Sequence, residues 1–411
     1  MGFRNDRQGL AAPRVWWLTA FCAACTLNLA SPPELAAGDW PHYRGSHYDG
    51  IAQESDLNFG SMEQAWKTNV GTGFCSIILA DGRLFTMGNF NHNDTVFCLD
   101  PATGKEIWRY SYPEPLDPNM YEGGPNATPT YHDGSIFILS KSGNMFRLGA
   151  ADGKVLWKLT AKELDAKPPT WGFAGAATVV GDMVLFNVGP KGTAVNIADG
   201  KQVWSSKGGN AGYAPPVPFK AGGKDGVAIF TGTHLRAVNP ADGTEMWSYP
   251  WATAYEVNAA APVFFGDKVF ISSSYGKGCA LLDLSGGTPT LAWENEHMMN
   301  HFSSSVFYEG HIYGLSGHSG RRSKLMCMDP ATGEVVWSEG FRFGSVAQAG
   351  DKLVVLEDNG KLTVAIAQPE GYQMVASKEI LDYKCWTVPV IAGGRLFARN
   401  AQGDLVSLAL K

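Results

Sequence analysis

Glu256 and Asn258 stand two residues apart in the segment YEVNAAAPV. On an extended backbone they share a face, and a carboxylate beside an amide oxygen can ligate a hard cation or fix a polar ligand. The plainer reading of the same pair is a solvated Glu and an Asn closing its own turn. His297 and His301 are four apart, a zinc spacing when carried by a helix, but the stretch leads into a strand-like run and the chain has no HExxH. His301 remains a candidate acid, base or hydrogen-bond donor. Trp171 and Trp386 lie outside the phrase that recurs along the chain and are candidates to stack a planar or sugar ligand, against burial under a loop. The chain contains no GxSxG, no P-loop and no GxGxxG, which removes serine hydrolase, NTPase and dinucleotide chemistry.

The elements that must position these residues come from a globular, turn-rich chain. Of 411 residues, 45% are hydrophobic and only 18% charged, with 49 Gly and 23 Pro. A net charge of −6 without a basic stripe excludes nucleic acid as a partner. Arg4, Arg7 and Arg14 precede an apolar run from Val15 to Ala30, then Pro32, Pro33 and small residues through Ala37. This layout is that of an export signal covering 1–37, cleaved near Ala37. A retained anchor is the alternative, but neither Cys22 nor Cys25 has a Leu three residues before it, which disfavours lipid attachment. No later segment is long or apolar enough to be read as a membrane span. Residues 38–56 form a leader and 57–411 a single repeat domain. The protein is expected to be exported, periplasmic or envelope-associated, and monomeric.

One phrase recurs along that domain. DPATGKEIW ends at Trp108, AADGKVLW at Trp157, IADGKQVW at Trp204, NPADGTEMW at Trp247 and DPATGEVVW at Trp337. In each the Gly lies four residues before the Trp, where it supplies the positive φ of a tight hairpin turn. LSGGTPTLAW at Trp293 carries two extra residues, QPEGYQMV puts Val375 where Trp belongs, and Trp66 stands upstream without a blade of its own. These positions recur every 38 to 49 residues, the length of four short strands. A second hairpin signal, such as ADGRLF, HDGSIF or AGGRLF, opens each unit, and no helix-length period is present. The fold expected is all-β: an eight-bladed propeller of four-stranded antiparallel blades, closed by pairing the strand around Trp66 with the C-terminal blade, which removes both loose edges. Trp66, Trp108, Trp157, Trp204, Trp247, Trp293 and Trp337 are then staples between blades and not ligand platforms.

In such a ring the segments leading into the innermost strands converge on one mouth of the central channel. Aligning the blades on their first hairpins puts Pro125, Phe173, Asn258, His301, Arg342 and Cys385 in one column, beside Asn126, Phe302 and Trp386. A column so varied is what a binding mouth requires, and also what unconstrained loops produce. Lys277, between Gly276 and Gly278, sits in a loop at the same mouth if the connectivity is regular. Cys75 and Cys385 lead into the first and last blades, adjacent after closure, so they can either pair as a disulfide or remain two thiols.

The phrase A-x-D/T-G-K-x-x-W resembles the tryptophan-docking repeat of the pyrroloquinoline quinone (PQQ)-like propellers, the superfamily of quinoprotein alcohol dehydrogenases, over about 57–411. DWPHYRG, PTWGFAGAA, YGKGCALL, NHFSSSVFYEG and KCWTVPVIAGGRLFARN resemble exported bacterial PQQ-binding-like propellers. The resemblance implies PQQ with calcium as cofactors, but the vicinal Cys-Cys pair of the dehydrogenases is missing from the domain and no complete calcium set can be placed. The function expected is a binding or scaffold module at the envelope, its partner a small molecule, a glycan or an envelope protein. Trp171, Glu256, Asn258, Lys277, His301, Arg342 and Trp386 are its candidate ligand residues. The alternatives are a PQQ-dependent dehydrogenase, with a cation at Glu256 and Asn258, and an outer-membrane assembly scaffold.

Overall fold

A computed structural model describes residues 1–4, 38–207 and 209–410. Its contacts divide the chain into units 1–34 and 35–411, and every strand among the described residues belongs to the second. Residues 5–37 of the expected export signal, 1–37, lie outside the described residues. Among the described residues no helix is long and apolar enough to cross a membrane.

Among the described residues the strands assort into eight sheets, seven of them built on a four-stranded meander in chain order from channel to rim and the eighth completed by an N-terminal strand. Blades 1 to 7 occupy 78–113, 130–160, 178–205, 217–250, 263–295, 306–342 and 344–379, and blade 8 occupies 390–409. The fourth strand of blade 8 is Glu63–Asn69, antiparallel to Asp404–Ala409, with Trp66 opposite Ser407 and Asn69 opposite Asp404. The ring is therefore closed as expected, by the N-terminal strand. An ion pair from Lys67 Nζ to Asp404 Oδ2 at 2.9 Å lies on that seam. Arg399 of blade 8, wholly buried, also crosses it, donating to the Gly71 carbonyl at 2.8 Å.

The core lies between blades and not within them. Phe85 and Met87 of blade 1 pack with Ile136, Ile138 and Phe146 of blade 2, and Phe137 and Trp157 of blade 2 with Val184 and Phe186 of blade 3. Middle strands are covered on both faces, so Ser135–Leu139 is buried at every residue and reads as an apolar run without alternation.

Each staple reaches forward to the next blade. The indole N–H of Trp66 donates to the Pro101 carbonyl at 2.9 Å, Trp108 to Ala150 at 3.0 Å, Trp157 to Ile197 at 2.8 Å and Trp204 to Pro240 at 2.7 Å. Trp293 donates to Pro330 and Trp337 to Gln368, both at 2.8 Å. Trp247 faces the longer turn of blade 5 and packs with Leu284. The turn glycine therefore serves two purposes. Gly153 has φ +71, and a Cβ there would lie 2.6 Å from the Trp108 ring, so the absence of a side chain makes the turn and admits the indole.

The outer strands share a further feature. In every blade the register slips at the residue before the staple position, so Ala65, Ile107, Leu156, Val203, Met246, Ala292 and Val336 fall out of the ladder. Such a bulge adds twist and blunts an edge against further strand pairing. Blade 7 corrects the sequence alignment by one residue. There the bulge falls on Val375, and Ala376, opposite Val364, holds the place of the tryptophan. The turn is one residue longer, which spacing from Gly371 alone misassigns.

The leader 38–56 is built into the ring. Trp40 bridges Leu79 of blade 1, and the Pro41 carbonyl accepts from Tyr131 N of blade 2 at 2.8 Å. Ile51–Ala52 forms a fifth strand on blade 7, parallel to its innermost strand with Ile51 opposite Gln348. The Glu54 carboxylate accepts from Gly394 N of blade 8 at 2.8 Å. Trp40 and Arg44 are buried among the inner strands. The leader thus closes one end of the central channel.

Candidate functional site

The other end opens as a cavity of about 800 Å³, whose lining includes Tyr43 of the leader. The leader therefore contributes to its wall. That wall is aromatic. Phe74 meets Tyr121 and Trp386, each at 5.3 Å between ring centres, and Trp386 meets Phe302 at 4.9 Å. Phe302 adjoins His301 at 4.5 Å, His301 adjoins Tyr275 at 5.2 Å, and Tyr275 adjoins Tyr255 at 5.7 Å. Tyr255 adjoins Trp171 at 6.4 Å, and the Tyr121 hydroxyl donates to the Trp171 carbonyl at 3.4 Å. The collar closes on itself.

These rings come from loops between or within blades, and several are held by backbone that side chains rarely adopt. Met120, Tyr255 and Tyr275, all facing the cavity, have φ of 63°, 61° and 60°. Left-handed non-glycine residues carry a conformational cost that the surrounding structure must offset, and they gather at sites where side-chain direction matters. Tyr255 is 71% exposed, so no burial of its ring explains the strain.

Of the residues expected at the mouth, Trp171, His301 and Trp386 line it, with Asn126 and Phe302. His301 is buried, and burial, then the neighbouring His318 stacked at 4.4 Å, lowers its pKa to about 3. It is therefore neutral. Its Nε2 lies 3.2 Å from the Tyr275 hydroxyl, and Ser319 N donates to its Nδ1 at 3.5 Å. Asn126 Nδ2 donates to the Tyr121 hydroxyl at 3.0 Å and the Trp171 carbonyl at 3.3 Å.

Other expected residues are placed elsewhere. Asn258 is wholly buried behind the wall, its Nδ2 donating to the carbonyls of Thr231 at 2.8 Å and Trp251 at 3.0 Å while its Oδ1 accepts from Ser273 Oγ at 2.7 Å. Glu256, itself at φ 57°, turns its carboxylate to Asn210. Two successive left-handed residues break the extended segment on which a shared face depended, so no cation pair forms. Lys277 pairs with Glu294 at 2.6 Å and lies over the Trp251 ring, away from the lining. Arg342 ends the outer strand of blade 6, paired with Asp358 at 2.7 Å and largely exposed. Only Phe343 separates blades 6 and 7, so no loop exists to carry Arg342 inward; Phe343 packs on Phe302 at 4.8 Å instead. Phe173 is also buried behind the wall.

Cys75 and Cys385 are unpaired buried thiols. Cys75 Sγ donates to the Met87 carbonyl at 3.1 Å, and burial raises its pKa although Arg399 beside it acts in the opposite direction. Cys385 faces its own turn, 3.5 Å from the Tyr383 carbonyl, and burial pushes its thiol up to about 12. The expected alternative of a disulfide is not realised. Phe74, Tyr121, Tyr255, Tyr275, His318 and the leader's Tyr43 were not anticipated. Aromatic residues outside the repeated phrase, in PNMYEGG, ATAYEV and SSSYGKG, were the signal that could have found three of them.

Two lysines beside the mouth are paired in place. Lys384 lies over the Trp386 ring at 4.5 Å and pairs with Glu122 at 2.8 Å. Lys141 pairs with Asp117 at 2.8 Å and lies over Tyr121. Among the described residues no three His, Cys, Asp or Glu side chains converge as a metal site. A smaller cavity of about 300 Å³ between blades 2 and 3 is lined by His132 and Arg147, whose guanidinium donates to the Ile197 carbonyl at 2.9 Å as an inter-blade tie.

Eight blades, seven of them carrying a staple tryptophan, around one aromatic mouth define an eight-bladed propeller of the PQQ-like repeat class. The chain belongs to the family described as outer membrane protein assembly factor BamB, whose profile matches residues 59–206 and 92–339. The BamB of Burkholderia pseudomallei is 24% identical over 84% of this chain and 87% of its own. A tetrathionate hydrolase of Acidithiobacillus ferrooxidans is 21% identical over 58% of this chain, the match spanning about half (48%) of that enzyme's length. The solved quinohemoprotein alcohol dehydrogenase of Comamonas testosteroni superposes with a TM-score of 0.70 at 12% identity, covering 90% of this chain and 80% of that one, a likeness of fold.

Proposed function

We propose that this protein is an exported binding module of the cell envelope that holds a ligand in the aromatic mouth. The observation that carries the reading is the collar itself: rings contributed by successive blades surround one cavity whose floor is sealed by the leader. Such a concave, mostly apolar site with a few placed polar groups suits a small molecule or the exposed end of a larger one.

PQQ with calcium does not fit these residues. A planar tricarboxylate would meet one lining cation, Lys384, already held by Glu122, and neither Glu256 nor Asn258 turns an oxygen into the cavity. Protein incubated with PQQ and calcium and then desalted is expected to lose the quinone absorbance and to show no alcohol-dependent dye reduction. Retained quinone that disappears in Trp171→Ala would overturn the reading in favour of a dehydrogenase.

The BamB relatives favour a second reading, an assembly scaffold that grips an envelope protein. The bulged outer edges argue against strand addition at the rim. In this reading too the mouth is the contact surface, and a crosslinker placed at residue 120 should capture the partner while one placed at residue 203 should not.

A further inference from the structure

We infer that the ligand of the mouth is an uncharged sugar chain, its rings lying on separate aromatic faces of the collar. The inference rests on the mouth being a binding site and concerns what it binds.

Three features of the wall point to a saccharide. The first is the tilt between neighbouring rings: 84° for Trp171 and Tyr255, 67° for Tyr255 and Tyr275, 69° for Phe74 and Tyr121, and 48° for Phe302 and Trp386. A fused flat ligand needs parallel walls and could cover one such face. Puckered rings joined by bent glycosidic bonds can cover several, each placing its C–H face on a different side chain.

The second feature is the polar complement. Asn126, Ser319 and the Tyr275 hydroxyl are uncharged and lie among the rings, where they can reach the hydroxyl edge of a sugar whose face is stacked. The third is charge. Among the described residues the lining holds no carboxylate to receive a cation, and its one lysine, Lys384, is paired with Glu122, as Lys141 beside Tyr121 is with Asp117, so an anionic ligand would have to compete with a carboxylate for either amine.

The test titrates the full chain with cellotriose, maltotriose and triacetylchitotriose, following tryptophan fluorescence and calorimetry. PQQ and tetramethylammonium serve as charged comparators. At least one trisaccharide is expected to bind with an affinity unchanged between about 0.05 and 0.5 M salt, and to weaken about tenfold or more in Trp386→Ala. Tyr255→Ala, whose ring is 71% exposed and supports no core, should weaken binding with the melting temperature retained even if Trp386→Ala fails to fold. Binding of a charged comparator but of no sugar, lost in the same variants, would overturn the sugar assignment and leave the mouth as a binding site. Sugar binding indifferent to both variants would also overturn it. No binding of any probe, on a wide neutral-glycan array as well, would remove both readings.

Discussion

The Arg44 guanidinium of the leader donates through Nη2 to the Ser305 carbonyl of the segment entering blade 6, 2.7 Å away and 261 residues on in the chain. The same side chain donates through Nε to the Tyr48 carbonyl at 3.1 Å, so one buried cation both folds the leader and ties it to the ring. Arg44→Met keeps the stem and removes the donors. It should cost about 2–4 kcal/mol, since hydrogen bonds to a charged group are lost and carbonyls are left unsatisfied. Thermal melting would show the loss, and limited proteolysis should shift to 38–56; an unchanged cleavage pattern would mean that Arg44 does not hold the leader.

Gly153 and Gly134 separate two costs at one blade. Both have positive φ, +71° and +69°, but a Cβ at Gly153 would strike the Trp108 ring at 2.6 Å whereas one at Gly134 meets nothing within 4 Å. Gly134→Ala should destabilise by about 1 kcal/mol from left-handed backbone alone. Gly153→Ala should cost about 2–3 kcal/mol, because the staple must also move. Equal losses in chemical denaturation would show that the docked indole imposes nothing on the turn.

Asp94 makes stability depend on pH. Burial pushes its carboxyl from 3.8 up to about 7, against the pull of the Asn89 amide that donates to it at 2.7 Å, and the Glu114 charge adds to the rise. A folded-state pKa above the unfolded value means that its stabilising contribution is complete below about 3.8 and is lost as pH rises through about 7. His42 and His301, whose pKa values burial lowers from 6.5 to about 3, act oppositely: their contribution is present above 6.5 and lost as pH falls toward 3. Asp94→Asn keeps an acceptor for Asn89 and should be more stable than the parent by about 2 kcal/mol at pH 8, with the gain vanishing near pH 4. A gain of the same size at both pH values would rule out titration of Asp94 as its source.

The five thiols at positions 75, 98, 279, 327 and 385 are buried and unpaired. An aromatic disulfide reagent should label none of them in the native protein and all of them in denaturant, and a reductant should leave the melting temperature unchanged. A melting temperature lowered by reductant would restore the Cys75 and Cys385 bridge.

The repeat was legible because its chemistry is local. A glycine that must turn and a tryptophan four residues later lie within one hairpin, so Gly104, Gly153, Gly200, Gly243 and Gly333 announce their staples without reference to the rest of the chain. The partnership of Trp66 with the last blade followed from the same count, since an orphan outer strand at one end matches a missing one at the other. Ala376 escaped it through a single added residue in the turn.

The mouth was legible only in part. Trp171, His301 and Trp386 could be chosen as residues outside the phrase, but which way a loop side chain points depends on the sign of φ and on loop length. Tyr255 and Glu256 turn left-handed and send Asn258 into the wall, and the one-residue connection at Phe343 leaves Arg342 outside. The leader has no period at all; its place is set by contacts such as Trp40 to Leu79 and Arg44 to Ser305. Sequence by itself therefore determined the number of blades, their staples and their closure, because each follows from short-range turn geometry and the pairing of edges. Tertiary structure alone decided which side chains face the channel and what seals it, because those directions arise from packing between residues far apart in the chain.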